Sequence, residues 1–404
     1  MQIFNIEKFI SKNITKRETS FFDNDIINNS HTLTQEIEGK SVLVIGGAGT
    51  IGSSYIKAIL EFNPAIVYVV DINENGLTEL VRDVRSNGNF KNTINIITYP
   101  IDFDSPVFYK LFKNNNGFDI VANFAAHKHV RSEKDAYSIE AMIENNVLKA
   151  KKFLDLLVAY PPKHFFCVST DKAANPVNLM GASKKLMEEV IMAYSDKFKV
   201  TTARFANVAF SNGSLLFGFI ERMAKQQPLA APSDIKRYFV SPKESGQLCM
   251  LACILGKTTE IFFPKLAEDD MQTFSSIANN FLAAYNLLPD YCQTENEAKE
   301  NALLLKDSDT KYPVYYFTSD TDGEKSFEEF FTVNEKLDND RFINLGVVTD
   351  YPKKTMESLS TVLNDIETLF KKESITKDEI IATLKTIIPN FSHINTGKSL
   401  DNKM

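Results

Sequence analysis

Two short segments hold side chains that could do chemistry together in this 404-residue chain. Ser169-Thr170-Asp171-Lys172 closes the apolar run HFFCVS at 164–169, and Met180-Gly-Ala-Ser-Lys184 enters a helix soon after. Open α/β sheets place their ligand crevice at the carboxyl ends of the strands, which is where the first segment falls. Asp171 and Lys172 set a carboxylate beside an amine. Such a pair serves as acid and base together where a desolvated site favours protonated Asp and neutral Lys. Met180 and Lys184 stand one helical turn apart, so they share a face and can both point into the crevice.

A glycine run supplies the other chemistry. Val42-Leu43-Val44-Ile45 leads directly into Gly46-Gly47-Ala48-Gly49-Thr50-Ile51-Gly52, and a helical pattern follows to Leu60. Gly46, Gly49 and Gly52 let backbone pass close to a pyrophosphate, while the helix N-terminus offers it free N–H groups. Strand, glycine turn and helix in that order predict dinucleotide binding, with a glycine-rich turn lacking any ligand as the alternative. Asp71 ends the second strand, 19 residues after Gly52. A carboxylate there accepts hydrogen bonds from a ribose diol and repels a 2′-phosphate, which favours NAD over NADP. Helix capping is the other role open to Asp71. Asp102, after the third strand, is a candidate adenine contact or again a cap.

These segments need a scaffold, and the strand pattern provides it. The runs SVLVI (41–45), AIVYVV (65–70), INIIT (94–98), DIVANF (119–124), HFFCVS (164–169) and VTTARF (200–205) are apolar at nearly every position. That pattern marks strands buried on both faces of a parallel sheet. A helical pattern runs between them from Ile139 to Tyr160 and stops at Pro161-Pro162. The fold class expected is α/β, a Rossmann-like doubly wound parallel sheet. Residues 1–39 read as a helical arm and 40–205 as the dinucleotide-binding domain. Residues 206–290 read as a smaller substrate-binding lobe with strand returns to the sheet. Residues 291–404 read as a mostly helical extension with a polar tail.

Composition excludes several classes. Lys+Arg of 45 against Asp+Glu of 52 gives a net charge of −7, which argues against binding nucleic acid or anionic membranes through bulk charge. The 4 cysteines are too scattered for a disulfide scaffold or a zinc site. Cys249 and Cys253, one turn apart, read as small buried thiols. No stretch approaches the roughly 18 apolar residues of a membrane span, and the first residues lack the order of a secretory signal. A reduced, soluble, cytoplasmic chain is expected. His127 and His129 diverge at i, i+2, so no metal site is expected. His127 and His164 read as structural.

The glycine pattern, NFAAHKHV (123–130), STDKAANPVNLMGASKK (169–185) and RFANVAFSNGS (204–214) together resemble the extended short-chain dehydrogenase/reductases. More narrowly they resemble the nucleotide-sugar 4,6-dehydratases that act on UDP-N-acetylglucosamine, over residues 40–285. The resemblance implies NAD-dependent oxidation at C4, elimination of water across C5 and C6, and return of hydride to C6, for surface glycan synthesis. It assigns Lys172 as the C5 base, Asp171 as the acid for the departing hydroxyl and Thr170 to the C4 oxygen. Lys184 would hold the nicotinamide ribose, with Thr50, Ile51 and Ala125 along the cofactor. Lys128 and Asn146 would border the sugar. Asn207, Ser211 and Ser214 would cradle phosphate and uridine, with Arg237 and Lys265 on the phosphates. Helix packing for Asn146 and a surface position for Arg237 are the alternatives.

Two departures from the family stand out. Met180 occupies the position where most of the superfamily has Tyr, and a thioether cannot accept a hydroxyl proton. The proton must then leave through Thr170 and Asp171, or through Lys172. A core gap-filling role is the alternative for Met180. Met here resembles a dehydratase branch that is usually membrane-anchored and retains C5 configuration. Asn212 is neutral where the family usually has Arg. Competing readings are an NAD-dependent 4-epimerase and a non-catalytic NAD sensor or scaffold. A homo-oligomer is expected, because the helices Ile139–Tyr160 and Ser183–Tyr194 have apolar faces wide enough for a four-helix dimer contact.

Overall fold

The computed structural model describes residues 4–86, 95–128, 133–319, 325, 327, 329–389 and 391–393. Two helices open the chain, α1 (Ile6–Asn13) and α2 (Asp23–Ile37). Strand and helix then alternate through β1 (Ser41–Ile45), α3 (Thr50–Leu60), β2 (Ile66–Asp71), α4 (Glu74–Ser86), β3 (Ile96–Pro100) and α5 (Pro106–Asn114). The alternation continues with β4 (Ile120–Asn123), α6 (Ala136–Ile143), α7 (Lys149–Ala159), β5 (His164–Val168), α8 (Leu179–Ala193) and β6 (Val200–Ala203). These strands pair in parallel in the order β3-β2-β1-β4-β5-β6, so the direction of winding reverses between β1 and β4. A crevice at that reversal is where such sheets bind their ligands. Strands β4, β5 and β6 are buried at every position, as their unbroken apolar runs require.

The second half of the chain adds β7 (Asn207–Val208), α9 (Leu215–Ala224), β8 (Leu229–Pro232), β9 (Lys236–Arg237), β10 (Phe239–Val240) and α10 (Pro242–Leu255). After these come β11 (Glu260–Pro264), β12 (Gln272–Thr273), α11 (Phe274–Ala284), β13 (Leu288–Cys292), α12 (Glu295–Leu303) and β14 (Lys311–Phe317). The chain closes with β15 (Lys336–Asp338), β16 (Leu345–Thr349), α13 (Met356–Phe370) and α14 (Lys377–Ile387). Strand β11 extends the main sheet in parallel beside β6, and β16 and β15 complete it in antiparallel fashion. Strands β13, β14 and β8 form a separate three-stranded parallel sheet.

Several expectations are corrected here. Pro228 to Ser233 reads as loop, yet Leu229–Pro232 is β8, paired with Val314–Phe317. Among the described residues, the region after 290 supplies β14, β15 and β16 as well as α12, α13 and α14. Its strands are short and their partners lie far along the chain, so periodicity alone does not reveal them. The helix expected over 139–160 carries a π-helical turn at Glu144–Leu148, between α6 and α7. The α13–α14 hairpin packs against α6 and α8. Leu359, Val362, Leu363 and Ile366 of α13 and Ile380, Leu384 and Ile387 of α14 are buried in the same core as α8.

Candidate active site

The turn after β1 is shaped by what glycine omits. Gly46 has φ +75°, and a Cβ there would lie 2.5 Å from the Ala125 nitrogen at the end of β4. A Cβ on Gly52 would lie 2.3 Å from the Gly46 carbonyl oxygen, so α3 packs directly on the turn. Gly49 is different. Its Cβ would meet only the Gly46 oxygen, at 3.4 Å, and is otherwise open. Gly46 and Gly52 therefore let the protein approach itself, whereas Gly49 leaves room at the N-terminus of α3 for an anion.

Gly46, Gly49, Asp71, Asp102 and Ala125 line a cleft of about 380 Å³ at the sheet's reversal point. Asp71 Oδ2 accepts from the Ala48 N–H at 3.0 Å and Oδ1 from the Asn73 N–H at 2.9 Å, which fixes the carboxylate at the cleft wall. Asp102 accepts from Lys149 Nζ at 2.5 Å and from the Asp104 N–H at 2.9 Å. Burial alone would raise its pKa, but these donors outweigh it and hold the carboxyl below its usual range. The glycine cradle, the helix N-terminus and the carboxylate of Asp71 fit a dinucleotide. Thr50 and Gly52 stand behind this wall, and the Thr50 hydroxyl accepts from the Asn212 N–H at 2.9 Å.

A larger cleft of about 1210 Å³ shares Phe124, Ala126, His127 and Ala141 with the first. Thr170, Asp171, Lys172, Met180 and Lys184 all line it, together with Ile51, Lys128, Asn207, Ser211 and Ser214. Past β5 the chain makes a short 3-10 turn at Asp171–Ala173. There Asp171 Oδ1 accepts from the Thr170 hydroxyl at 2.8 Å, the Lys172 N–H at 2.9 Å and the Lys172 ammonium at 3.0 Å. Lys184 Nζ donates to the Val168 carbonyl at 2.6 Å, and burial pushes its pKa down. Met180 is buried. Its N–H donates to Glu133 Oε1 at 2.9 Å, and its carbonyl accepts from the Ser183 hydroxyl at 2.8 Å.

Three expected contacts lie elsewhere. Asn146 is a packing residue in the π-turn, where its Oδ1 accepts from the His127 N–H at 2.8 Å. Its Nδ2 donates to the His127 carbonyl at 2.9 Å and the Ser183 hydroxyl at 3.1 Å, which holds the 123–128 loop against α8. Arg237 is buried in the β9–β12 pair, with Nη1 donating to the Lys236 carbonyl at 2.9 Å, outside the walls of both clefts. Lys265 donates to the carbonyls of Asn339 and Phe342 at 2.8 and 2.7 Å, closing the turn between β15 and β16. Of the two histidines near the sugar site, His127 lines both clefts, and His129 lies outside the described residues.

Other residues were not singled out by sequence. Glu188 Oε1 accepts from the Ser169 hydroxyl at 2.6 Å and from Arg204 Nε at 2.9 Å, and Glu188 and Arg204 are fully buried behind the 171–173 turn. The signal was available, because Met180, Lys184 and Glu188 recur at i, i+4, i+8. Arg222 lines the large cleft from α9, and its Nη1 passes 3.1 Å from where a Cβ on Gly218 would stand.

Residues 42–348 match the profile of a family described as "Polysaccharide biosynthesis protein". The chain is 32% identical to a Methanocaldococcus jannaschii protein named "Uncharacterized membrane protein MJ1061", over 56% of this chain and 67% of that one. It is 28% identical to the UDP-N-acetylglucosamine 4,6-dehydratase (inverting) of Campylobacter jejuni, again over 56% and 67%. Among solved structures it shares the fold of Pen from Bacillus thuringiensis, with a TM-score of 0.62 and 21% identity, covering 81% of this chain and 98% of that one. Other curated relatives are longer, and the chain spans only 47% and 58% of two of them. Among the described residues, no helix is long and apolar enough to cross a membrane.

Proposed function

The chain belongs to the polysaccharide biosynthesis protein family, and from that membership we propose that it is an NAD-dependent nucleotide-sugar 4,6-dehydratase acting on UDP-N-acetylglucosamine. One observation carries the reading. Thr170, Lys172 and the acceptor Asp171 Oδ1 form a connected acid–base unit in the same cleft as Lys184. NAD, held along Gly46, Gly49 and Asp71, supplies reversible hydride acceptance when bound. The residues do the rest. Lys184 orients the nicotinamide ribose at the floor of the cleft. The C4 hydroxyl donates to Thr170 Oγ1, and the Thr170 proton can pass to Asp171 along a bond of 2.8 Å. That relay replaces the phenol that Met180 does not offer.

Elimination needs the opposite polarity. The relay leaves Asp171 holding the C4 hydroxyl proton as a carboxylic acid, 3.0 Å from Lys172 Nζ, which acts as the neutral amine. Lys172 then removes the C5 proton while Asp171 protonates the departing C6 hydroxyl. The Campylobacter jejuni relative's name supports the substrate assignment. The test is mass spectrometry of UDP-N-acetylglucosamine incubated with the protein without added reductant. A product lighter by one water, with no net reduced cofactor, is expected. An isobaric product would favour the 4-epimerase reading, and unchanged substrate the sensor reading. Lys172→Ala and Asp171→Asn should each lower turnover by about 10²–10⁴-fold while cofactor binding persists. Wild-type turnover in either variant overturns the roles given.

A further inference from the structure

The small cleft holds a charge pair that the glycine turn does not need. A dinucleotide whose phosphates meet the turn after β1 runs past Asp71, at the end of β2, to Asp102 just beyond β3. Neighbouring strands lie about 4.8 Å apart, so Asp102 stands within one nucleoside's reach of the turn. Ile72, Ile101 and Phe103 line the same cleft and offer apolar walls to a flat ring. The Asp102 carboxylate is held from two sides, by Lys149 Nζ on Oδ2 at 2.5 Å and by the Asp104 N–H on Oδ1 at 2.9 Å. Against the pull of burial, these donors keep it ionised. Among the described residues lining this cleft, Lys149 is the only Lys or Arg.

The π-turn aims this lysine. The Lys149 N–H donates to the Glu144 carbonyl five residues back, and the wide turn brings Glu144, Asn145 and Lys149 to one cleft. One turn further along α7, Lys152 Nζ donates to Asp104 Oδ2 at 3.2 Å, and Tyr109 Oη donates to Asp104 Oδ1 at 2.9 Å. The 102–104 loop is thus gripped twice, once at the carboxylate that lines the cleft and once outside it. We propose that Lys149 is a positioning residue for base recognition: it orients Asp102 to accept from the exocyclic amine of adenine, so that the chain selects against purines with a carbonyl at that position. Carboxylate oxygens take more than one donor each, so room for the amine remains beside Lys149 and the Asp104 N–H. A carbonyl in the amine's place would meet the carboxylate acceptor to acceptor. Without Lys149 the carboxylate is held by the Asp104 N–H alone, and the preference weakens.

The proposal rests on dinucleotide binding in this cleft and not on the sugar reaction. Its test is titration of the full chain with NAD and with nicotinamide hypoxanthine dinucleotide, which carries a carbonyl in place of the amine. The wild type is expected to bind the hypoxanthine form about tenfold more weakly, and Lys149→Met should bring that ratio below about threefold. Lys149→Arg keeps a donor and should keep the ratio. Lys152→Met releases only Asp104 and should keep it too. Equal wild-type affinities, or a full ratio in Lys149→Met, would overturn the proposal and leave the cofactor assignment standing. A Lys152→Met ratio as low as that of Lys149→Met would also overturn it, by tracing the effect to the loop. Binding of neither dinucleotide by the wild type would overturn the cofactor assignment and the proposal together.

Discussion

A methyl group would act differently at Gly49 and Gly52, although they share one turn. At Gly52 it would collide with the Gly46 carbonyl, backbone against backbone, at 2.3 Å. Gly52→Ala must push α3 off the turn and should destabilise the fold by roughly 1–3 kcal/mol. At Gly49 the nearest atom stands 3.4 Å away and the backbone is extended, so Gly49→Ala folds without strain. Its methyl would instead occupy the cradle. The expected outcome is an unchanged melting temperature with at least tenfold weaker dinucleotide binding, read by thermal melting and by cofactor titration. Loss of stability at Gly49, or full affinity retained there, would contradict the assignment. These glycines were legible in the sequence because strand, turn and helix adjoin along the chain. Asn146, Arg237 and Lys265 were not, because a polar side chain's partner depends on what folds against it. Lys265 reaches carbonyls in a turn more than seventy residues away.

At the scale of elements, α2 docks on the start of β5 through a buried histidine. His164 Nε2 faces Glu36 Oε2 at 2.6 Å and Nδ1 faces Lys199 Nζ at 3.0 Å, so the neutral ring donates to the carboxylate and accepts from the ammonium. Burial first, and then the Lys199 charge, push its pKa down to about 4 despite Glu36. The unfolded chain titrates near 6.5, so between pH 6.5 and 4 it binds a proton that the folded protein refuses. Stability from this site is complete above pH 6.5 and falls as pH drops towards 4. Going from pH 7 to 5 should cost about 2 kcal/mol, and His164→Gln should flatten that slope in urea unfolding followed across pH. An unchanged slope would place the acid sensitivity elsewhere. Glu36 itself is held low, since hydrogen bonds from Lys163 and His164 outweigh its burial, and it titrates in a more acid window. The strand β5 and the helix over 139–160 were legible from apolar spacing. The π-turn between α6 and α7 was not, because one extra residue barely disturbs a helical stripe.

Across the whole molecule, one buried cation joins parts of the chain that spacing could not connect. Arg204, at the end of β6, is fully buried and pairs with Glu188 of α8 at 2.7 Å and with Glu335, before β15, at 2.9 Å. It also donates to the Phe330 carbonyl at 3.2 Å, so the C-terminal strands and α8 share one guanidinium. The two carboxylates are not equivalent. Glu188 has no exposed surface and keeps its charge because Arg204 outweighs its burial, whereas the Glu335 side chain retains 10% exposure. Arg204→Met would strand the Glu188 charge in the interior, with Ser169 and the more distant Lys185 as its remaining partners. A loss of roughly 3–5 kcal/mol is expected. Glu335→Gln keeps an acceptor for Arg204 and leaves the Glu188 pair intact, so about 1 kcal/mol is expected. Urea midpoints of both variants decide the matter, and turnover adds a second reading. Arg204→Met should impair turnover by leaving Glu188, which holds the Ser169 hydroxyl behind Asp171, without its ion pair, and Glu335→Gln should not. A Glu335→Gln loss as large as that of Arg204→Met would put the weight of the network on the C-terminal strands rather than on α8.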